Sequence, residues 1–221
     1  MLGLAGSHRV GKTTLAEEFA RVTGATFVKS SITEWQREIG FDSSDQSYDF
    51  NTRLSIQEHI LQRYEGMLLD HYHNPNCTDP AHAVTDRTPL DFMMYTLASV
   101  NDNLTAKQSA RLECYLRACY DVLNLYFTGI LIVQPGIPLV ERAGAAKCCS
   151  AFMEKLNYVV KGLAADSHLT IPRYNMRRNY LDLNVRVRIC ILFMNMARKK
   201  RVLKVPIESI EGIPFATRVK Q

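Results

Sequence analysis

The chain has 221 residues, 47% of them hydrophobic and 22% charged. That balance excludes a disordered or low-complexity chain and suffices for one domain with a sizeable core. Twenty-seven lysines and arginines against 22 aspartates and glutamates leave a formal charge of +5, which suits an anionic substrate without requiring nucleic acid. No apolar run reaches membrane-spanning length, so no membrane partner and a cytoplasmic location are expected, the host cytoplasm if the source is viral. Met1 leads straight into a strand that the fold needs, which leaves no room for a cleavable signal peptide. The six cysteines form no C-x-x-C pair and read as reduced thiols.

Residues 1–5 are apolar enough for a short buried strand. Gly6-Ser7-His8-Arg9-Val10-Gly11-Lys12-Thr13 then fits G-x-x-x-x-G-K-[ST], the P-loop. Leu15, Phe19 and Val22 fall at i, i+4 and i+7 and predict a helix over 14–22, with Gly24 suited to its stop. The motif therefore sits between a strand and a helix. Backbone N–H groups from Gly6 to Thr14 must turn inward to cradle phosphate oxygens, and glycine permits that path. The helix N-terminus adds donors and a positive dipole end. Lys12 is placed to reach the β- and γ-phosphates and Thr13 to ligate Mg²⁺, so ATP and Mg²⁺ are the expected cofactors.

Residues 25–29 predict a second strand, and Ser31 with Glu34 spells a capping box opening a short helix that ends near Gly40. Residues 41–49 read as a loop. Leu54, Leu61, Tyr64 and Leu68 predict a helix from about 50 to 71. A loop to residue 80 and a third strand over 81–85 follow. Asp86-Arg87 comes next, ahead of Thr88 as N-cap, Pro89 at the first helical position and Asp91 closing a capping box. That places Asp86 and Arg87 at the carboxyl end of a strand, the edge where open α/β sheets bind ligands.

Thr105 and Gln108 form another capping box, opening a long helix with its core stripe at Leu112, Leu116, Cys119, Leu123 and Phe127. Residues 129–133, GILIV, are the clearest buried strand. Residues 135–149 carry prolines, glycines and small residues around Glu141, Arg142 and Lys147, and predict a small basic lid. A helix over 150–166, a strand over 168–172, a helix over 181–200 and a last strand over 202–206 complete the chain. The alternation argues a single α/β domain over 1–221 with a parallel sheet of about five strands flanked by helices. His71, His73, Cys77 and His82 do not match a compact zinc spacing. Arginines and lysines concentrate in the part from about 173 to 221, among them Arg173, Arg177, Arg178, Arg186, Arg188 and the run 198–201; this could be a nucleic-acid footprint, although a charged helix end explains the run as well.

A P-loop, an Asp-Arg pair after an inner strand and a basic lid after the next strand form an order that resembles the small P-loop kinases of nucleosides and nucleotides, the thymidylate kinase and deoxynucleoside kinase group. The runs Leu2-Gly3-Leu4-Ala5-Gly6 and Asp86-Arg87-Thr88-Pro89-Leu90-Asp91 look most like phage deoxynucleoside monophosphate kinases. The resemblance implies that Asp86 holds Mg²⁺ or acts as a base, that Arg87 contacts phosphates, and that Arg142 in the lid adds charge at the transferring group. It also implies that Glu34 activates an acceptor hydroxyl and Trp35 lines the acceptor pocket, although no proline follows Glu34 as it does in those kinases. Arg53 and Gln57, one helical turn apart, would bind the phosphate and base of the acceptor.

The expected activity is ATP- and Mg²⁺-dependent transfer to a nucleoside monophosphate, a deoxynucleotide in particular. Two alternatives keep the chemistry and change the acceptor: a deoxynucleoside, or a hydroxylated base within DNA. A third is a P-loop ATPase or switch acting through a partner. The sequence leaves the oligomeric state open, a homodimer included.

Overall fold

The computed structural model describes residues 1–41, 48–100, 103–137 and 149–201. Along them run β1 (Leu2–Ala5), α1 (Lys12–Thr23), β2 (Thr26–Phe27), α2 (Ile32–Glu38), α3 (Phe50–Tyr72), β3 (Ala83–Thr85) and α4 (Pro89–Ala98). They continue with α5 (Ala106–Tyr126), β4 (Gly129–Val133), α6 (Ser150–Ala165), β5 (Arg173–Met176) and α7 (Leu183–Arg201). The strands form one sheet in the order β2-β3-β1-β4-β5, every neighbouring pair parallel. Helices cover both faces, the α/β architecture expected from the sequence.

Strand alternation divides the core in two. Leu2, Leu4, Val84, Leu131 and Val133 point to one face and pack with Leu15, Phe19, Val187, Phe193 and Met194 of α1 and α7. Met1, Ala5, Ala83, Ile130 and Ile132 point to the other, where α3, α4 and α5 supply Leu54, Tyr64, Met93, Tyr115 and Leu123. Both faces of β1 and β4 are therefore buried, which is why these strands read as unbroken apolar runs. The chain places β2 and β3 on one side of β1 and then crosses to β4 on the other. That switch puts a crevice at the carboxyl end of β1.

Several local expectations need correction. The fifth strand is Arg173–Met176, not 168–172. Leu169 and Ile171 are buried core residues, but the backbone amides of His168 and Thr170 are taken by the side chains of Asp166 and Asn124, and Pro172 has no N–H for a ladder. Pairing begins when Ile130 donates to the Pro172 carbonyl at 2.9 Å. Val22 is about half exposed, and Ala16 joins Leu15 and Phe19 in the buried stripe instead. The capping box at Ser31 does not form. Ser31 sits at φ −102°, ψ 46° with no side-chain cap bond, outside the extended geometry a cap needs. By contrast, extended Asp49 accepts from the Thr52 amide at 2.7 Å and Thr105 from the Gln108 amide at 3.3 Å. The lid residues Arg142 and Lys147, and the strand expected at 202–206, lie outside the described residues.

Candidate active site

The P-loop occupies the crevice. Gly6 has φ 143°, and a β-carbon there would collide with the Val133 carbonyl of β4. Gly11, at φ 80° and ψ 28°, is the N-cap of α1, and its carbonyl accepts from the Leu15 amide at 3.1 Å. Arg9, at φ 59°, is the one non-glycine residue in the left-handed region among the described residues. This uncommon conformation between two glycines turns the loop tightly into α1, while the Gly6 and His8 amides are taken by the Asp91 and Tyr95 side chains.

Lys12 opens α1 but turns back into the loop. Its ammonium donates to the Gly6 carbonyl and, at 2.8 Å, to the Ser7 carbonyl, and lies 3.3 Å from Asp91 Oδ1. Burial pulls its pKa down to about 8, with Arg87 acting in the same direction and Asp91 and Asp86 opposing. Thr13 and Thr14 are exposed at the head of α1. The Thr13 hydroxyl donates to Asp86 Oδ2 at 2.5 Å, so the hydroxyl and carboxylate assigned to Mg²⁺ from the sequence are in contact.

Asp91 ties this arrangement together. It is fully buried; Oδ1 accepts from the Gly6 amide at 3.1 Å, and Oδ2 accepts from the amide and the hydroxyl of Thr88, both at 2.9 Å. One carboxylate thus caps α4, anchors the start of the P-loop and neutralises Lys12. Tyr95, one turn further along α4, accepts from the His8 amide at 3.1 Å and lies 3.2 Å from His8 Nδ1. Burial opposes the charge of Arg87, but Asp91, Tyr95 and Asp86 outweigh it and raise the Arg87 pKa. His8 is held below the ordinary histidine range by burial and then by Lys12, Arg9 and Arg87, so it is neutral at pH 7.

The Asp86-Arg87 turn is braced from behind. Tyr64 of α3 donates to the Arg87 carbonyl at 2.5 Å, and the Thr85 hydroxyl donates to the same oxygen at 3.2 Å. Trp35 is buried edge-on against Tyr64, ring centroids 6.4 Å apart. The tryptophan assigned to the acceptor pocket therefore supports the wall behind Arg87. Glu34 is exposed beside it on α2. Arg53, in the first turn of α3, donates from Nε to the Tyr48 carbonyl at 2.8 Å, and Gln57 is half-buried one turn on.

Asp91, Tyr64 and Tyr95 escaped sequence reasoning as site residues. Asp91 had a sufficient local use as a cap; its signal is a carboxylate inside the apolar run Pro-Leu-Asp-Phe-Met-Met, where burial demands a cation. The basic C-terminal third also divides. Arg186 is buried, Arg178 pairs with Glu154 and Arg198 with Asp79, while Lys199 and Lys200 are exposed. Among the described residues no group of three or more His, Cys, Asp or Glu is arranged to hold a metal ion, and no helix is long and apolar enough to cross a membrane. His71 contacts the Pro80 carbonyl and His82 the Thr23 carbonyl.

The chain is similar in structure to a deoxyadenosine kinase from M. mycoides with the products dCMP and dCDP bound, at TM-score 0.60 and 15% sequence identity over 88% of this chain and 98% of that one. A structure of the same kinase with bound dCTP matches at TM-score 0.58 and 14% identity, with the same coverage. The chain thus shares its fold with that deoxyadenosine kinase. No protein-family model matches it, and no curated protein matches it in sequence.

Proposed function

We propose that the chain is a phosphotransferase that moves the γ-phosphoryl group of ATP to a small nucleotide acceptor, a deoxynucleoside monophosphate in the first instance. The observation that carries this reading is the Thr13–Asp86 contact at the mouth of the P-loop, together with the buried Lys12–Asp91 ion pair that follows from the same motif.

The residues fit a phosphate-bearing, metal-bound donor. Ser7 Oγ and His8 Nε2 are buried within the loop with no hydrogen-bond partner among the described residues, a costly arrangement that phosphate oxygens would relieve through the Ser7 hydroxyl and a neutral His8 N–H. Thr13 and Asp86 would hold Mg²⁺, which when bound neutralises charge developing between the β- and γ-phosphates. Lys12 has three N–H donors and can exchange the Gly6 and Ser7 carbonyls for phosphate oxygens while Asp91 keeps it charged. Arg87, kept charged by the nearby Asp91 and Asp86 and hydrogen-bonded to Tyr95, would present its guanidinium to an acceptor phosphate. Transfer then follows from alignment and converging positive charge, with little covalent work for the protein.

Asp86→Asn is expected to lower turnover at saturating Mg²⁺ by about 10²-fold or more while ATP affinity changes only a few-fold, because the lost charge acts on the metal and not on the adenine. Titration of ATP binding alongside the rate against Mg²⁺ concentration checks this. Wild-type values for both would reduce Asp86 to a helix-start residue.

A second reading makes the acceptor a deoxynucleoside. The named activity of the structural neighbours favours it, and exposed Glu34, after β2, is the carboxylate that would take the acceptor's hydroxyl proton.

A further inference from the structure

We infer that Arg186 is a positioning residue of the P-loop, holding the Val10–Gly11 peptide so that the amides beyond it face the donor phosphates. The inference rests on the proposed ATP-dependent activity. Arg186 lies in the first turn of α7, 176 residues from the loop, and only 3% of it is exposed. Its Nη2 donates to the Val10 carbonyl at 2.9 Å, and Nε lies 3.4 Å from the Met176 sulfur at the end of β5. Nη1 stands 3.1 Å from where a β-carbon on Gly11 would be. No carboxylate pairs with Arg186 among the described residues, and burial depresses its pKa.

A guanidinium placed so deep at such cost demands a purpose that packing alone does not give. The geometry supplies one. The Val10–Gly11 peptide is trans, so its carbonyl and the Gly11 N–H point in opposite directions, and a hydrogen bond that fixes the carbonyl also fixes where that amide points. Arg186 fastens that carbonyl through Nη2 while its Nε is held against the Met176 sulfur, which fixes the orientation of the planar fork. The sequence carries a trace of this. Arg186 falls on the α7 stripe with Val187, Cys190, Phe193, Met194 and Ala197, all buried, a face otherwise reserved for core.

The test compares Arg186→Met, Arg186→Lys and Arg186→Ala with the wild type. Amide hydrogen exchange of residues 10–13 in nucleotide-free protein should quicken about tenfold or more in Arg186→Met, the scale of a lost charge-assisted hydrogen bond. ATP affinity measured by titration should weaken by a similar factor, raising KM for ATP while KM for the acceptor stays unchanged. Lysine should restore little, because it lacks the fork, whereas methylguanidinium added to Arg186→Ala should recover part of the affinity. Unchanged exchange and unchanged ATP affinity in any folded variant would overturn the inference. Equal losses in all kinetic constants, with a fall in melting temperature and no rescue by methylguanidinium, would also overturn it, since those mark a purely structural role. If the wild type binds no nucleotide, the functional reading fails, while faster exchange in Arg186→Met would still place Arg186 as the clamp of the loop.

Discussion

Replacing Lys12 with methionine should cut phosphoryl transfer by about 10²–10³-fold, the loss of about 2.7–4 kcal/mol that follows removal of one preorganised donor from a transferring group. The fold should survive. Methionine fills the same space, and Asp91 keeps its three other donors, the Gly6 amide and the amide and hydroxyl of Thr88. Circular dichroism and a rate measured at saturating substrates separate the two effects; near wild-type turnover in a folded variant would remove the P-loop assignment. A pH dependence accompanies this. In nucleotide-free protein the Lys12 ammonium, the form that holds phosphate, loses its proton as pH rises through about 8. ATP affinity should therefore be full below that pH and decline above it, while Lys12→Met binds weakly and without that decline. Folding stability moves the other way. A lysine depressed from 10.5 to about 8 binds more protons unfolded than folded between those values, so its contribution makes the protein more stable as pH rises across that window.

Asp91→Asn should be the most damaging single change to stability near the site. Breaking a buried ion pair by removing one partner costs about 3–5 kcal/mol, because the other charge stays buried. The asparagine amide would also set a donor against the Gly6 or Thr88 amide. Lys12 loses the strongest influence that keeps it charged, so ATP affinity should fall at neutral pH as well. Chemical denaturation of Asp91→Asn, Lys12→Met and the double variant checks the assignment. The double variant should be more stable than Asp91→Asn alone, since removing the stranded cation relieves its burial. Additive losses would show that Asp91 acts only as the cap of α4.

Those two residues mark how far the sequence could be read. The P-loop was legible because its constraints are local: two glycines at fixed spacing, a lysine, a hydroxyl, and apolar flanks that fold into β1 and α1. The sheet was legible where strands are buried on both faces, as in β1 and β4, and at the edge strand β2, which falls inside the expected 25–29, but the other edge strand, β5, was misplaced. Arg173-Tyr174-Asn175-Met176 pairs on one side only, with Arg173 and Asn175 exposed, so its polar residues resemble a loop. The partners of Asp91, Tyr64 and Arg186 depend on contacts 85, 23 and 176 residues apart. Asp91 and Tyr64 also have adequate local explanations, as cap and core aromatic, and Arg186 reads as one basic residue among many in the C-terminal part; only the closed sheet brings the distant partners within reach.

The central claim is transfer of the ATP γ-phosphoryl group to a free nucleotide. It is tested most directly by incubating the protein with γ-labelled ATP and Mg²⁺ against separate panels of deoxynucleoside monophosphates, deoxynucleosides and duplex DNA, with water alone as the control. Label should appear in a deoxynucleoside diphosphate, be absent from DNA, and be lost with Lys12→Met and Asp86→Asn. Label found only in a deoxynucleoside monophosphate would move the acceptor to the nucleoside, and label released only as inorganic phosphate, whatever the acceptor, would contradict a kinase altogether.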